Sequence, residues 1–256
     1  MILFTNKYNP NKLKEVIGHD LELEKLGYFI LNFKKQKKNA ILIYGKSGVG
    51  KTCSVHALAN DLNLELLDVN ASNIRNKEII EFIVGNFMKQ FSLFGKQKLI
   101  FIDELEGIAG QQDKGGLQAL QDLIEISTVP IIIVTNEIEN EKFETVKKKC
   151  ELLEYKILDN NTIIKYLEDI CKKEKMLYKK IILEKIAENC NGDLRAALID
   201  LEILNGKKEI SENDFVLDKR LQDIEPKENV KKLFKEEDLI KSYRIIEDLD
   251  LDHYMG

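Results

Sequence analysis

The segment GKSGVGKT, residues 45–52, has the residue types and spacing of a phosphate-binding loop, G-x-x-x-x-G-K-[ST], and it directly follows the apolar run AILIY. Its glycines let the backbone curl so that successive N–H groups, helped by the positive end of the next helix, face phosphate oxygens. Lys51 is expected to reach the β- and γ-phosphates, and the Thr52 hydroxyl to ligate Mg²⁺. A glycine turn that arose by chance is the alternative. The predicted nucleotide-binding residues of this loop are Gly45, Lys46, Ser47, Gly48, Val49, Gly50, Lys51 and Thr52.

Two adjacent carboxylates, Asp103 and Glu104, close the apolar run KLIFID. We expect this strand to lie beside the phosphate loop, where Asp103 would hold Mg²⁺ together with Thr52 and Glu104 would polarise an attacking water molecule. A solvated acidic pair that caps a helix is the alternative. Together with the phosphate loop, the pair predicts hydrolysis of a nucleoside triphosphate rather than phosphate transfer to a small acceptor.

Two further polar residues are candidates for the same chemistry. Asn136 follows the run PIIIVT, and its amide could orient the attacking water if that strand neighbours the one ending at Asp103. Asparagine at a strand end is otherwise a common turn residue. Arg195, in GDLRAAL, could reach the γ-phosphate from a second domain, or it could form a surface ion pair. His56 is interpreted as a packing or surface residue.

Four short apolar runs, rich in β-formers, must position these residues: AILIY (40–44), LELLDV (64–69), KLIFID (98–103) and PIIIVT (130–135). Runs this apolar indicate a parallel sheet that is covered on both faces. Segments with helical periodicity lie between them, namely TCSVHALANDL, NKEIIEFIVGNFMKQF and GLQALQDLIEI. This alternation predicts an α/β fold with right-handed crossovers.

The pattern becomes entirely helical from about residue 159. We predict a nucleotide-binding α/β domain over residues 1–157, a small three-helix lid domain over 158–206, and a partial helical collar or oligomerisation segment over 207–256. Two amphipathic helices in the last segment cannot bury their apolar stripes alone, so this segment is expected to need a partner surface.

The composition is typical of a globular protein: 256 residues, 44% hydrophobic and 32% charged, with a net charge of −5. No apolar run approaches the roughly 20 residues of a membrane span, and the start MILFTNKYNP lacks the pattern of a signal peptide. We therefore expect no membrane partner and an intracellular location. The four cysteines have no metal-ligand spacing with the three histidines and are expected to be reduced, structural thiols.

Taken together, these segments resemble the AAA+ ATPases, and among them the large subunits of replication factor C, the sliding-clamp loader. The resemblance covers nearly the whole chain and follows the family's order: KYNPNKLKEVIGHD, the phosphate loop, NASNIRNKE, SLFGKQKLIFIDELEGI, DKGGLQAL, the strand end before Asn136, KKKCELLEYK and NGDLRAALIDLE. It implies an AAA+ parallel-sheet P-loop fold, ATP and Mg²⁺ as cofactors, and ATP-driven loading of a clamp at primer–template junctions in DNA replication. Such a protein would work in the cytoplasm and nucleoid of an archaeon or in the nucleus of a eukaryote.

The resemblance also implies roles for residues around the nucleotide and the DNA. Asn136 matches the position called sensor 1, and Arg195 matches sensor 2. Arg75 matches a position near template phosphates, and Lys77 and Lys114 are additional candidates, with a solvated surface as the alternative for each lysine. Contacts to phosphates position DNA without reading its sequence.

The start of the chain would contribute the adenine site. By the same resemblance, Val16 and Ile17 would pack on the adenine ring, with Tyr8 and Pro10 nearby.

Lys149 helps to place the chain among the subunits. Small subunits have Ser-Arg-Cys where this chain has KKKC (147–150), and a lysine lacks the guanidinium fork of their arginine finger. We interpret Lys149 as a plain surface lysine and the chain as the receiver of a finger. The expected partners are replication factor C small subunits, a PCNA-type sliding clamp and primer–template DNA. Residues that could insert into the clamp, or pack in the core instead, are Phe87, Met88, Phe91 and Phe94.

Large subunits complete a helical collar, whereas this sequence stops after about two collar helices. The expectation is that the chain is truncated or that a second polypeptide supplies the rest. Two other functions stay open at this point: a different AAA+ ATPase of DNA replication or repair, and a nucleotide-binding scaffold subunit with little turnover.

Overall fold

A five-stranded parallel sheet forms the centre of the protein. The computed structural model describes residues 3–73, 76–92, 95–108 and 115–205. The strands have the order β2-β3-β4-β1-β5, and every neighbouring pair is parallel. Their bounds are β1 Ala40–Tyr44, β2 Glu65–Asn70, β3 Lys98–Asp103, β4 Ile131–Thr135 and β5 Cys150–Glu154. The predicted α/β fold of the AAA+ type is confirmed.

The central strands are apolar over most of their length because helices cover both faces of the sheet. On one face, Leu42 and Ile100 pack in a core with residues of α4 and α5. On the other face, Ile41 and Phe101 pack with residues of α2 and α3. The helices of this part are α1 Phe4–Lys7, α2 Asp20–Leu31, α3 Lys51–Asp61, α4 Lys77–Lys89, α5 Gly116–Ile126 and α6 Glu144–Lys149. Short 3₁₀ turns occupy Leu13–Glu15, Phe33–Lys35, Ala71–Asn73, Leu105–Gly107 and Glu141–Phe143.

The fifth strand was not among the four predicted apolar runs. It is the edge strand next to β1, and its residues Glu151, Leu152 and Glu154 are exposed. Only Cys150 and Leu153 of this strand are buried, one in the core on each face of the sheet, so its sequence lacks the continuous apolar run that marks the central strands.

Three helices follow the sheet: α7 Asn160–Glu174, α8 Lys180–Asn189 and α9 Leu194–Leu204. The side chains of Asp159 and Asp193 cap α7 and α9 by accepting hydrogen bonds from the N–H groups of Thr162, at 3.0 Å, and Ala196, at 2.9 Å. The domain boundaries proposed at residues 157 and 206 stay predictions, and the predicted collar, 207–256, lies outside the described residues.

None of the helices within residues 3–205 that the structure describes is long and apolar enough to span a bilayer. Cys150, Cys171 and Cys190 are buried, Cys53 is partly buried, and all four thiols are unpaired.

Candidate functional site

The phosphate loop connects β1 to α3 in the strand–loop–helix arrangement that its sequence predicts. Gly45, Gly48 and Gly50 all have positive φ angles, and Lys51 is the first residue of α3. A Cβ atom at Gly45 would lie 2.2 Å from the carbonyl oxygen of Tyr155, so this position has no room for a side chain. The loop therefore depends on glycine both for its backbone conformation and for its close approach to the chain that follows β5.

Lys51 is buried, with 5% of its surface exposed. Its ammonium group donates hydrogen bonds to the carbonyl oxygens of Gly45 and Lys46, both at 2.7 Å, and to Oδ1 of Asn136 at 2.8 Å. Burial lowers the pKa of Lys51, while the negative charges of Glu106 and Asp103 act in the opposite direction. The loop thus holds a donor-rich cation at its centre, which is the group that a triphosphate needs there.

Thr52 and Asp103 meet although β1, which leads into the phosphate loop, and β3 are not neighbours. The strand β3 is separated from β1 by β4, so it is not directly beside the phosphate loop in the sheet as expected. The Thr52 hydroxyl nevertheless donates a 2.9 Å hydrogen bond to Oδ2 of Asp103. Burial raises the pKa of Asp103, partly offset by hydrogen bonds from Thr52 and from the N–H of Glu104. A hydroxyl and a carboxylate oxygen in contact suit Mg²⁺, which prefers hard oxygen ligands.

Glu104 lies at the carboxyl edge of the sheet in a left-handed backbone conformation, with φ of 54°. Its Oε2 accepts a 2.8 Å hydrogen bond from Nδ2 of Asn70, the last residue of β2. The strands β2 and β3 are neighbours, with Asn70 opposite Asp103, so the sheet register places this amide beside the acidic pair. Sequence reasoning missed Asn70; the signal was a polar residue that closes a second apolar run.

Asn136 follows β4, which pairs with β3, so the condition set for its predicted role is met. Its Nδ2 donates to Oε1 of Glu106 at 2.7 Å, and its backbone N–H donates to the same oxygen at 3.0 Å. The second oxygen of Glu106 accepts a 2.8 Å bond from the hydroxyl of Thr135. Glu106 was also missed, although it is the third carboxylate of the DELE sequence.

The last helix of the lid docks on the phosphate loop. The N–H of Leu194 donates a 3.1 Å hydrogen bond to the carbonyl oxygen of Gly48. Arg195, in the first turn of α9, lines the same cleft as Lys51, and its charge contributes to lowering the pKa of Lys51. Arg195 therefore lies on the wall of the cleft that the phosphate loop also lines, and its role at the γ-phosphate stays a prediction.

The cleft between the loop, the lid and the start of the chain has a volume of about 500 Å³, within the range of small-molecule sites. Its wall includes the residues predicted around adenine: Tyr8, Pro10, Val16 and Ile17. Tyr8 donates a hydrogen bond to Glu174 of α7, and Lys7 forms a 2.5 Å ion pair with the same carboxylate. The start of the chain is thus tied to the lid.

His19 contacts the backbone of the phosphate loop, and the sequence did not predict this contact. Its buried ring has Nε2 2.9 Å from the carbonyl oxygen of Val49, and the ring centre lies 4.2 Å from that of Tyr155. Because a carbonyl oxygen only accepts, Nε2 carries a proton and donates it in this contact. Burial lowers the pKa of His19.

Several predicted residues do not join this cluster. The exposed side chain of Lys46 is not among the residues that line the cleft; only its carbonyl oxygen binds Lys51. Lys77 is exposed at the start of α4 and lies 3.6 Å from Glu81. Arg75 and Lys114 lie outside the described residues, although the adjoining Asn76 and Gly115 form a β-bridge.

Two other expectations concern surfaces away from the cleft. Lys149 differs from the plain surface lysine expected, since its side chain is 19% exposed and its ammonium group lies 3.0 Å from Glu125 Oε1. Phe87 and Met88 pack against the core, whereas Phe91 is 95% exposed. Phe94 is outside the described residues.

Two family models match the chain. The model described as "ATPase family associated with various cellular activities (AAA)" matches residues 41–151, and the "RCF1/5-like, AAA+ ATPase lid domain" matches residues 165–205. These segments contain the phosphate loop with the acidic pair and the lid helices with Arg195, respectively.

The chain is also similar to curated proteins named "Replication factor C large subunit". It is 39% identical to that of Thermofilum pendens over 215 residues, which are 82% of this chain and 52% of the relative. It is 37% identical to that of Nanoarchaeum equitans over 249 residues, which are 96% of this chain and 58% of the relative. For Methanococcus vannielii the identity is 33% over 78% of this chain and 41% of the relative. The chain thus spans about half the length of the relatives it matches.

Proposed function

The chain belongs to the replication factor C large-subunit family of AAA+ ATPases, and on that premise we propose that it binds and hydrolyses ATP as a subunit of a sliding-clamp loader. The observation that carries this proposal is the contact between Thr52 and Asp103 next to Lys51. It gathers the oxygen ligands for Mg²⁺ and the cation for the phosphates at one wall of a cleft of suitable size.

We assign the steps of hydrolysis to the chain's own side chains. Lys51 and the phosphate-loop N–H groups would bind the β- and γ-phosphates, and Arg195 would approach the γ-phosphate from the lid. Thr52 and Asp103 would hold Mg²⁺, which when bound neutralises negative charge on the phosphates. Glu104, with its carboxylate held at the carboxyl edge of the sheet, would accept a proton from the attacking water.

The adenine ring would occupy the other end of the cleft. The buried side chain of Val16 and the neighbouring Ile17 offer apolar surface there, beside Tyr8 and Pro10. Because Tyr8 is also bonded to Glu174 in the lid, occupancy of this end would couple the nucleotide to the position of the lid.

The whole assembly is part of the proposal. Replication factor C small subunits would complete the ATP site, and a PCNA-type clamp and primer–template DNA would be its targets. Arg75, Lys77 and Lys114 would contact DNA phosphates. In support, Asn76 and Gly115, which adjoin Arg75 and Lys114 in the sequence, form a β-bridge. A second polypeptide could complete the collar, and the site of action would be the nucleoid or nucleus, where the DNA is.

The test is Glu104→Gln, which removes the base and keeps the size of the side chain. In the complex with small subunits, clamp and primed DNA, we expect unchanged ATP affinity and a loss of DNA-stimulated turnover of about 10²–10⁴-fold. The matched control is Glu139→Gln, since Glu139 is exposed and has no hydrogen bond or ion pair within the described part of the chain. Turnover that survives Glu104→Gln would reject the assigned base, and absence of turnover in the assembled wild-type complex would favour a nucleotide-binding scaffold.

A further inference from the structure

We propose that Glu106 is a positioning residue that locks the side-chain amide of Asn136, with its oxygen facing the phosphate loop and its nitrogen facing away. This inference rests on the proposed hydrolysis of ATP and deepens it, because it says how Asn136 acts at the site. Glu106 itself is not among the residues that line the cleft, so it would act only through Asn136.

Both carboxylate oxygens of Glu106 accept hydrogen bonds from residues at the end of β4. One accepts from the backbone N–H and the Nδ2 of Asn136, at 3.0 and 2.7 Å, and the other accepts from Thr135 at 2.8 Å. Thr135 is fully buried, and its hydroxyl oxygen also accepts from the N–H of Glu137 at 3.1 Å. With the bond from Lys51 to Oδ1 of Asn136, five hydrogen bonds thus converge on Thr135 and Asn136, which leaves Asn136 little freedom to reorient.

The two neighbours of the Asn136 amide allow only one orientation. An ionised carboxylate can only accept hydrogen bonds, and an ammonium group can only donate them. With Nδ2 on Glu106 and Oδ1 on Lys51, both contacts are satisfied. Turning the amide over would place its NH₂ group against the ammonium and its oxygen against the carboxylate, so both contacts would become repulsive.

This orientation decides what Asn136 can offer to a bound nucleotide. Only the carbonyl oxygen Oδ1 faces the phosphate loop. When Lys51 turns to the phosphates, Oδ1 is free to accept a hydrogen bond from the attacking water. Nδ2 cannot donate to the γ-phosphate as long as it donates to Glu106.

Glu106→Gln is the most informative change. A glutamine of the same size can donate as well as accept, so the amide of Asn136 no longer has a unique partner arrangement. In the assembled complex we expect kcat to fall by about 10- to 100-fold, as when a group that orients a site residue is lost. ATP affinity should stay within about twofold of wild type, and Glu139→Gln should change neither quantity.

A double-mutant cycle separates positioning from general damage to the fold. Glu106→Ala combined with Asn136→Ala should be no slower than Asn136→Ala alone, because Glu106 acts through Asn136. Losses that multiply, or an unchanged kcat in Glu106→Gln, would overturn the proposal.

A second readout does not depend on turnover. In the ¹⁵N-labelled full chain, the side-chain amide signal of Asn136 is identified by its disappearance in Asn136→Ala. We expect its hydrogen exchange to be faster in Glu106→Gln than in wild type, and unaltered in Glu139→Gln. If the wild-type complex hydrolyses no ATP but this acceleration is seen, the proposed function fails while the positioning stands. Exchange that is the same in Glu106→Gln and wild type would refute the positioning itself.

Discussion

Gly48→Ala tests how tightly the lid docks on the phosphate loop. A Cβ atom at Gly48 would lie 1.8 Å from Oδ1 and 2.1 Å from Cγ of Asp193, the residue that caps α9. The clash can be relieved only if the Asp193 side chain turns away from the loop, which removes the cap, or if the start of α9 moves. The cap of α9 and the hydrogen bond from Leu194 to Gly48 both depend on that position.

The expected loss of stability has three contributions. Alanine at φ of 71° costs about 1 kcal/mol, loss of a helix cap costs about 1 kcal/mol, and loss of a backbone hydrogen bond costs about 1 kcal/mol. We expect the free energy of unfolding to fall by about 3 kcal/mol, measured by urea denaturation followed by circular dichroism. Binding of ATP should weaken in parallel, because Arg195 and the lid side of the cleft move with α9.

Gly95→Ala is the matched control. Gly95 has a similar positive φ, 66°, and among the residues that the structure describes an added Cβ meets nothing within 4 Å. It should lose only the roughly 1 kcal/mol of backbone strain, and the effect of the glycine on the unfolded chain is the same in both variants. Adding Asp193→Gly to Gly48→Ala should recover most of the difference, since glycine replaces a capping residue at a cost of a few tenths of a kcal/mol. Equal losses in Gly48→Ala and Gly95→Ala would refute the docking of α9 on the loop.

Two further predictions concern contacts that only the fold reveals. Asn70→Ala removes the hydrogen bond that holds the Glu104 carboxylate. Because that bond must break before Glu104 acts on water, we expect ATP turnover without DNA to rise by up to about 10-fold. Asn73→Ala is the control, and unchanged turnover in Asn70→Ala would contradict the prediction. His19 has a pKa below its ordinary 6.5, so the unfolded state binds a proton first as the pH falls. The contribution of His19 to the free energy of unfolding should therefore be constant above about pH 6.5 and decrease below it, so His19→Gln should flatten the decrease on the acid side. Identical pH profiles for wild type and His19→Gln would contradict the buried, neutral ring.

Short apolar segments predict the central strands, whereas contacts between residues far apart in the chain appear only in the structure. The strand β1 and the strand β3 have the bounds that their apolar runs predict, because burial on both faces demands apolar residues at every position. The edge strand β5 was not predicted because only two of its five residues, Cys150 and Leu153, are buried, which leaves no continuous apolar run. Lys149 was interpreted as a surface lysine because a lysine's partners cannot be read from its neighbours in the chain; its partner is Glu125 on another helix.

The sequence alone identifies the phosphate loop and the acidic pair, because each is a contiguous segment whose chemistry follows from residue type and local backbone conformation. Their supporting contacts belong to the tertiary structure. Asn70 meets Glu104 across 34 residues, Glu106 meets Asn136 across 30, and Leu194 meets Gly48 only after the lid has folded back. The order of the strands decides these meetings, and that order results from the packing of all the crossover helices together, so no short segment contains it.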